Sequence, residues 1–210
     1  MSRVLAMIGM VLLGAGPALA QTKEPVGSFV VDARGVMAGL PTTEGWLPTL
    51  PTGTVVPSRG FGLDVGGHVY PLQWGPARLG FGGAFTLAQG TASATVEGTP
   101  DVTTRSSTVA PQVSFNFGHR QGWSHLSIGY GAAKVSSEST AVGEVAAASV
   151  DHGWGGAMNV GGGARWFLTE HLGVGFEARW HRLSGRDASG TSAAAPRTTL
   201  FHLSVGVSLH

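Results

Sequence analysis

Apolar and polar residues alternate with a period of two along most of this chain. Within residues 60–72, for example, Phe61, Leu63 and Val65 are separated by polar or small residues such as Asp64. This alternation is typical of a β-strand with one apolar and one polar face, and long stretches with helical periodicity are absent. The pattern therefore predicts an all-β protein.

Eight segments carry this alternation, and each is close to the roughly 9–11 residues that a tilted membrane strand needs. They run from Ser28 to Leu40, Gly60 to Leu72, Ala77 to Ala88, Thr108 to His119, Trp123 to Ser136, His152 to Leu168, Leu172 to Ser184 and Thr199 to Leu209. Pro111 falls inside the fourth segment and removes a ladder hydrogen bond. We therefore expect a local bulge at Pro111 or a later start of that strand.

The connections between the segments alternate between long and short. The long ones are residues 41–59, 89–107, 137–151 and 185–198, and the short ones are 73–76, 120–122 and 169–171. Outer-membrane barrels have this asymmetry, with tight periplasmic turns and longer external loops. The fold class predicted is an eight-stranded antiparallel up-and-down transmembrane β-barrel, with both termini on the short-turn side.

Tryptophan placement supports the same prediction. Trp74, Trp123 and Trp166 lie beside the short turns, whereas Trp154 and Trp180 lie at the opposite strand ends. Indole rings favour the membrane interface, so these positions fit two aromatic girdles. A water-soluble periplasmic barrel, similar in plan to lipocalins, would alternate equally well but with an apolar interior. Loop asymmetry and tryptophan placement favour the membrane barrel over this alternative.

The beginning of the chain has the form of a secretory signal peptide. Arg3 precedes the apolar stretch Val4–Leu13, and Ala18–Ala20 supplies small residues for cleavage. We therefore predict a signal peptide at residues 1–20 and a barrel domain at residues 21–210, exported to the outer membrane.

Composition narrows the function classes. Without residues 1–20 the chain has 12 basic and 12 acidic residues, and no basic run suggests nucleic acid as a partner. The chain has no Cys, which excludes disulfides and Cys-ligated metal sites. After the signal peptide, no apolar stretch reaches the roughly 20 residues of a membrane helix, so a membrane span requires a closed barrel.

The polar face of the predicted strands carries charges of both signs. This inward set comprises Asp32, Arg34, Asp64, His68, Arg78, Arg165, Glu177 and Arg179. Side chains nearly fill an eight-stranded barrel, and buried charges must pair, so we expect an ion-pair network in a mostly plugged lumen. The alternative is a small pore or ligand-binding transport barrel, for which inward glycines would leave room. These are Gly62, Gly66, Gly80, Gly82 and Gly175.

No constellation in the sequence predicts catalysis or a cofactor. The eight His are scattered without metal-site spacing, so we interpret them as interface or solvated side chains, with no metal or cofactor. His181 and Ser184 lie where some small barrels carry a lipid A deacylase pair, but residues three apart on a strand point to opposite faces. We therefore predict no catalytic residues and a non-enzymatic protein, with a lipid A-modifying hydrolase as the lesser alternative.

One hairpin carries a family resemblance. The stretch Gly161–Trp180, with its glycine-rich strand, aromatic pair and short polar turn, resembles the penultimate hairpin of the outer-membrane β-barrel superfamily, which includes the barrel domain of outer membrane protein A. The resemblance implies a structural, adhesive or surface-recognition role. It also implies contact with outer-membrane lipids, the barrel-assembly machinery and an extracellular or cell-envelope partner. Members usually end on an outward aromatic residue, whereas this chain ends on His210.

Overall fold

The computed structural model of the protein describes residues 28–119 and 121–210, and it forms an eight-stranded barrel. The strands are β1 (Phe29–Gly39), β2 (Arg59–Trp74), β3 (Ala77–Ala92), β4 (Val102–His119), β5 (Gly122–Ser139), β6 (Ala148–Phe167), β7 (Leu172–Leu183) and β8 (Thr198–Leu209). Each pairs antiparallel with the next, and β1 pairs with β8 to close the ring. The predicted fold class is therefore confirmed. The predicted signal peptide lies outside the described residues.

Four long loops lie at one end of the barrel and three short turns at the other. We name the loops L1 (40–58), L2 (93–101), L3 (140–147) and L4 (184–197), and we call the two ends the long-loop end and the short-turn end. L1 contains a 3₁₀ turn, Glu44–Trp46. Within the described part of the chain, no helix is long and apolar enough to cross a membrane.

Burial alternates along the strands as the sequence pattern predicts. In β1, Asp32 is fully buried inside the barrel, whereas its neighbour Val31 is 48% exposed on the outside. The outward rows of the other strands are likewise apolar, with Phe61 and Leu126 among the most exposed side chains. A water-soluble barrel would have the opposite arrangement, so the lipocalin-like alternative is wrong. The apolar exterior matches the hydrocarbon layer of a membrane.

Strands β3 to β6 extend further toward the long-loop end than predicted. β3 continues to Ala92, β4 begins at Val102 and β6 begins at Ala148, so L2 and L3 are shorter than the predicted links. These extensions are rich in Thr and Ser, and most of their residues were predicted to belong to the long links. Threonine is β-branched and fits a strand well, and here Thr91 and Thr103 hydrogen-bond across the β3–β4 ladder at 2.9 Å. We call this projecting sheet the wall, residues 89–92, 102–107, 136–139 and 148–151.

The expected bulge at Pro111 is wrong. β4 and β5 keep one register on both sides of Pro111, and β4 begins earlier than predicted, not later. A register shift occurs instead between β2 and β3, between Val69 and Leu72. Pro71 lies within that interval and has no N–H to donate to the ladder, which explains why the shift falls there.

A second bulge changes which side chain of β6 faces inward. The register between β5 and β6 shifts where Lys134 opposes Trp154 and Ser136 opposes Asp151. Gly153, at the bulge, has φ +57°, a left-handed conformation that glycine adopts without strain. Because of this extra residue, His152 is buried inside the barrel although Trp154 points outward.

The tryptophan prediction holds for four of the five strand positions. The four outward indoles are about half exposed and lie near the two ends of the apolar belt; they are Trp74, Trp154, Trp166 and Trp180. Trp123 was expected in a girdle, but it is 4% exposed and faces the lumen. Its odd-numbered neighbour His125 is also buried, so Trp123 follows the inward row of β5.

Candidate functional site

The lumen is the candidate functional site, because the polar and charged side chains of all eight strands converge there. Its centre is organised by Arg34 on β1. The Arg34 guanidinium contacts three carboxylates: Nη2 lies 2.7 Å from Asp32 Oδ2, and Nη1 lies 3.1 Å from Asp64 Oδ1 and 2.8 Å from Glu177 Oε2. Arg34 thus joins strands β1, β2 and β7 across the barrel.

Two further arginines complete this central network. Arg165 on β6 makes a bidentate pair with Asp32, from Nε at 2.9 Å and Nη2 at 2.6 Å. Arg179 Nε donates to Glu177 Oε1 at 2.6 Å. Bidentate guanidinium–carboxylate pairs fix geometry as well as charge. The three arginines and their carboxylate partners thus come from β1, β2, β6 and β7.

Hydroxyl groups and a histidine satisfy the remaining carboxylate oxygens. Ser208 donates to Asp32 at 2.6 Å, Thr86 donates to Asp64 at 2.7 Å, and His125 Nε2 lies 3.2 Å from Glu177 Oε2. Arg179 also donates to Asn159 and to Ser127. The central network contains three arginines and three carboxylates, so its formal charge is zero. A neutral centre with its carboxylate oxygens bonded is what a buried charge cluster requires.

Arg78, predicted to belong to the inward charged set, lies apart from this network. Its guanidinium carbon stands 5.0 Å from the centroid of the Trp123 ring, in cation–π geometry. Trp123 in turn packs edge-on against Tyr70 and Phe167, with ring centroids 5.1 Å and 5.2 Å apart. Together with Val30, these aromatic side chains form a buried cluster at the short-turn end of the lumen.

A second apolar cluster fills the long-loop end. Trp46 from the 3₁₀ turn of L1 is 2% exposed and enters the mouth of the barrel, where it packs edge-on against His152 with ring centroids 4.6 Å apart. The rest of this cluster comes from β5 to β8 and L4, namely Ala133, Val135, Ala157, Leu183, Ala195 and Leu200. Trp46 lies within residues 41–59, which the sequence pattern predicted to be a long link. A single tryptophan in a long polar loop is the signal that could have indicated a plug.

The inward glycines do not leave the room that the pore alternative requires. At Gly80 an added Cβ would lie 2.5 Å from both Ser114 Oγ and Tyr70 Cε1. At Gly82 it would collide with the backbone of Gly67. These glycines therefore allow neighbouring side chains and strands to approach closely, and they fill space instead of creating it.

The interpretation of the histidines as interface or solvated groups is wrong for five of them, although for His68 its separate placement in the inward set is confirmed. Buried histidines face the interior at His68, His125, His152, His181 and His202. His181 and His202 stack with ring centroids 4.3 Å apart. Among the residues that the structure describes, no three His, Asp or Glu side chains are grouped so that they could hold a metal ion.

His181 and Ser184 do not come together. His181 is 3% exposed and faces the lumen, whereas Ser184 is exposed beyond the end of β7. The backbone N–H of Ser184 bonds to Gly156 O at 2.9 Å, which continues the β6–β7 pairing by one residue. The opposite-face prediction for this pair is therefore confirmed, and the lipid-facing pair of a lipid A deacylase is not formed.

Comparison with known proteins gives a likeness of fold. No protein-family profile and no curated protein matches the chain in sequence. Among solved structures, Neisserial surface protein A matches with a TM-score of 0.51 at 13% identity, covering 89% of this chain and 99% of that one. The attachment invasion locus protein of Yersinia pestis matches with a TM-score of 0.51 at 10% identity, covering 88% and 98%. The predicted resemblance to small outer-membrane barrels is thus confirmed at the level of the fold.

Proposed function

We propose that this chain, which has the fold of the small outer-membrane β-barrels, is a non-enzymatic integral protein of the outer membrane with a structural or surface-recognition role. The observation that carries the proposal is the filling of the lumen at three levels. An aromatic cluster closes the short-turn end, a neutral ion-pair network occupies the centre, and Trp46 plugs the long-loop end. A barrel whose lumen is filled in this way offers no passage for solutes, so its outer surface and its loops are left to interact with other molecules.

The wall supports the recognition part of this proposal. Its outer side is polar: Arg105 pairs with Glu138 at 2.7 Å, and Arg105 Nε donates to Gln89 at 2.8 Å. Beside it lies a cleft of about 300 Å³, whose lining includes Asp101, Thr103, Ser139, Thr140 and Ser149. Hydroxyl and carboxylate groups on a rigid sheet suit a polar extracellular ligand or cell-envelope partner. The apolar belt would contact outer-membrane lipids, and β8 would be presented to the barrel-assembly machinery.

Planar lipid bilayers test whether the lumen is closed. Purified protein, refolded in detergent and shown to be folded by a boiling-dependent shift in gel mobility, is added to a bilayer under voltage. We expect no single-channel steps above the rate seen with detergent alone. Regular conductance steps from heat-modifiable protein would contradict the closed-lumen proposal and favour the pore alternative.

The hydrolase alternative has a separate test. His181→Ala and Ser184→Ala are expressed beside the wild type in an outer membrane that lacks other lipid A deacylases, and lipid A is examined by mass spectrometry. Because His181 faces the lumen and Ser184 is exposed outside it, we expect the same lipid A from all three strains. Loss of one acyl chain with the wild type, and its retention with either variant, would contradict the non-enzymatic proposal.

A further inference from the structure

A small cavity lies beneath L4 at the long-loop end. Its volume is about 10 Å³, enough for one water-sized atom, and its lining includes Trp46, His152 and Arg186. Each of these three side chains has a buried nitrogen that finds no hydrogen-bond partner within the described residues: Trp46 Nε1, His152 Nε2 and Arg186 Nη2. Buried polar groups are rarely left unpaired, and the indole and guanidinium nitrogens can only donate, so they indicate an occupant that accepts hydrogen bonds.

The charge of Arg186 favours a negative occupant. Its Nη1 donates to the backbone oxygen of Trp154 at 2.5 Å, but within the described residues no ion pair joins Arg186 to a carboxylate. The arginines of the central network, such as Arg34 and Arg165, all contact acids. The guanidinium of Arg186 therefore brings an uncompensated positive charge to the cavity, with Nη2 buried.

His152 contributes the third nitrogen of the cavity. Its Nδ1 lies 2.8 Å from Ala194 O, and because a carbonyl oxygen only accepts, Nδ1 carries the proton in the neutral ring. Nε2 then becomes a donor only when the ring is protonated. The charged groups nearby are Arg186 from L4, Asp151 from β6 and Lys134 from β5, and the last two form an ion pair at 2.7 Å. L1 contributes the uncharged indole of Trp46.

We infer that this cavity is a binding site for a single small anion of the size of chloride, held by Trp46 Nε1 and Arg186 Nη2, with His152 Nε2 beside it. The cavity volume of about 10 Å³ suits a monatomic anion better than a polyatomic oxyanion. Trp46 belongs to L1 and Arg186 to L4, so the anion connects the plug to the loop that covers it. In the absence of the anion, a water molecule accepting from Trp46 and Arg186 and donating to neutral His152 would suit the same three atoms.

Anomalous diffraction with bromide tests the site directly. The full-length protein is crystallised in detergent at pH 5.5 with bromide replacing chloride. We expect an anomalous peak within about 3.5 Å of Trp46 Nε1 and Arg186 Nη2, the range for a donor next to a large anion. A cavity that holds a water or nothing, with no anomalous peak, would overturn the inference.

A stability measurement tests it in solution. The apparent Tm of the refolded protein is compared in chloride and in gluconate at equal ionic strength. We expect a rise of about 3–6 °C for each tenfold increase of chloride above its Kd. Equal apparent Tm values in the two salts would overturn the inference.

Matched variants separate this site from general salt effects. Trp46→Phe keeps an aromatic ring but removes the indole N–H, and Arg186→Gln keeps a polar side chain but removes the guanidinium charge, so both should lose most of the chloride-dependent rise. Trp154→Phe, on the outer surface, and Arg197→Gln, exposed in the same loop, should keep it. A chloride effect that survives in both cavity variants would overturn the inference. Bilayer conductance does not enter this comparison, so the site can fail while the closed-lumen proposal stands.

Discussion

At the scale of residues, Asp32 is the most constrained group in the lumen. It is fully buried and accepts from Arg165 and Ser208 while pairing with Arg34 at 2.7 Å. Two cations therefore depend on one carboxylate. Removing one partner of a buried ion pair leaves an uncompensated charge, which is more destabilising than never burying the pair.

We expect Asp32→Asn to destabilise the barrel by about 3–5 kcal/mol, because Arg34 and Arg165 lose their shared negative partner without any change in side-chain size. Urea unfolding in detergent or lipid, followed by tryptophan fluorescence, measures the midpoint. Asp187→Asn, an exposed change of the same chemistry in L4, serves as the control and should leave the midpoint unchanged. Equal midpoints for Asp32→Asn and the wild type would show that the network contributes little to stability.

At the scale of elements, period-two alternation predicted the strands, their faces and the inward acids and arginines. It could not predict which charges pair, because Arg165 and Asp32 lie 133 residues apart and meet only through the closure of the ring. Alternation also fails at a bulge. Unbroken alternation from Trp154 would have turned His152 outward, and Gly153 turns it inward. The Thr-rich and Ser-rich segments of the wall were likewise predicted to be loops. A strand that projects beyond the membrane needs no apolar face, so these segments lack the alternation that marks the other strands.

The bulge at Gly153 makes a local prediction. Gly153→Ala forces a Cβ onto a residue with φ +57°, and that Cβ would lie 2.5 Å from Ser192 Oγ in L4. We expect a loss of about 1–3 kcal/mol in the free energy of unfolding, measured by urea titration. Gly155→Ala is the matched control, since its Cβ would meet Arg186 only at an ordinary 3.7 Å. If the two variants unfold at the same urea concentration, the bulge does not depend on the left-handed glycine.

At the scale of the whole molecule, the barrel has two unlike ends and an apolar belt between them. The short-turn end is compact, with Trp123, Tyr70 and Phe167 sealing it. The long-loop end carries the wall, the Trp46 plug and the anion cavity. The proposed recognition role requires the long-loop end to face outward from the cell, as outer-membrane barrels are oriented.

The absence of native cysteine makes this orientation easy to test. Thr95→Cys places a thiol in L2, and Glu170→Cys places one in the short turn between β6 and β7. Both positions are exposed. A membrane-impermeant maleimide added to intact cells should label the Thr95→Cys variant, and should label the Glu170→Cys variant only after the outer membrane is permeabilised. Labelling of the Glu170→Cys variant alone in intact cells would reverse the proposed orientation.

The uneven strand lengths also bear on how the ring forms. The two strands that meet last along the chain, β1 and β8, are among the shortest, and their ladder runs only from Val31 opposite Leu209 to Ala38 opposite His202. A shift of one residue in the β1–β8 pairing would turn the outward row of β8 into the lumen, so every odd-numbered shift is unfavourable. Because β1 and β8 are short, few even-numbered shifts remain that still pair several residues. The hairpins of β3 to β6 join strands that are neighbours in the chain, so they can assemble first. The slow long-range pairing is that of β1 with β8, the two strands that have the fewest incorrect registers.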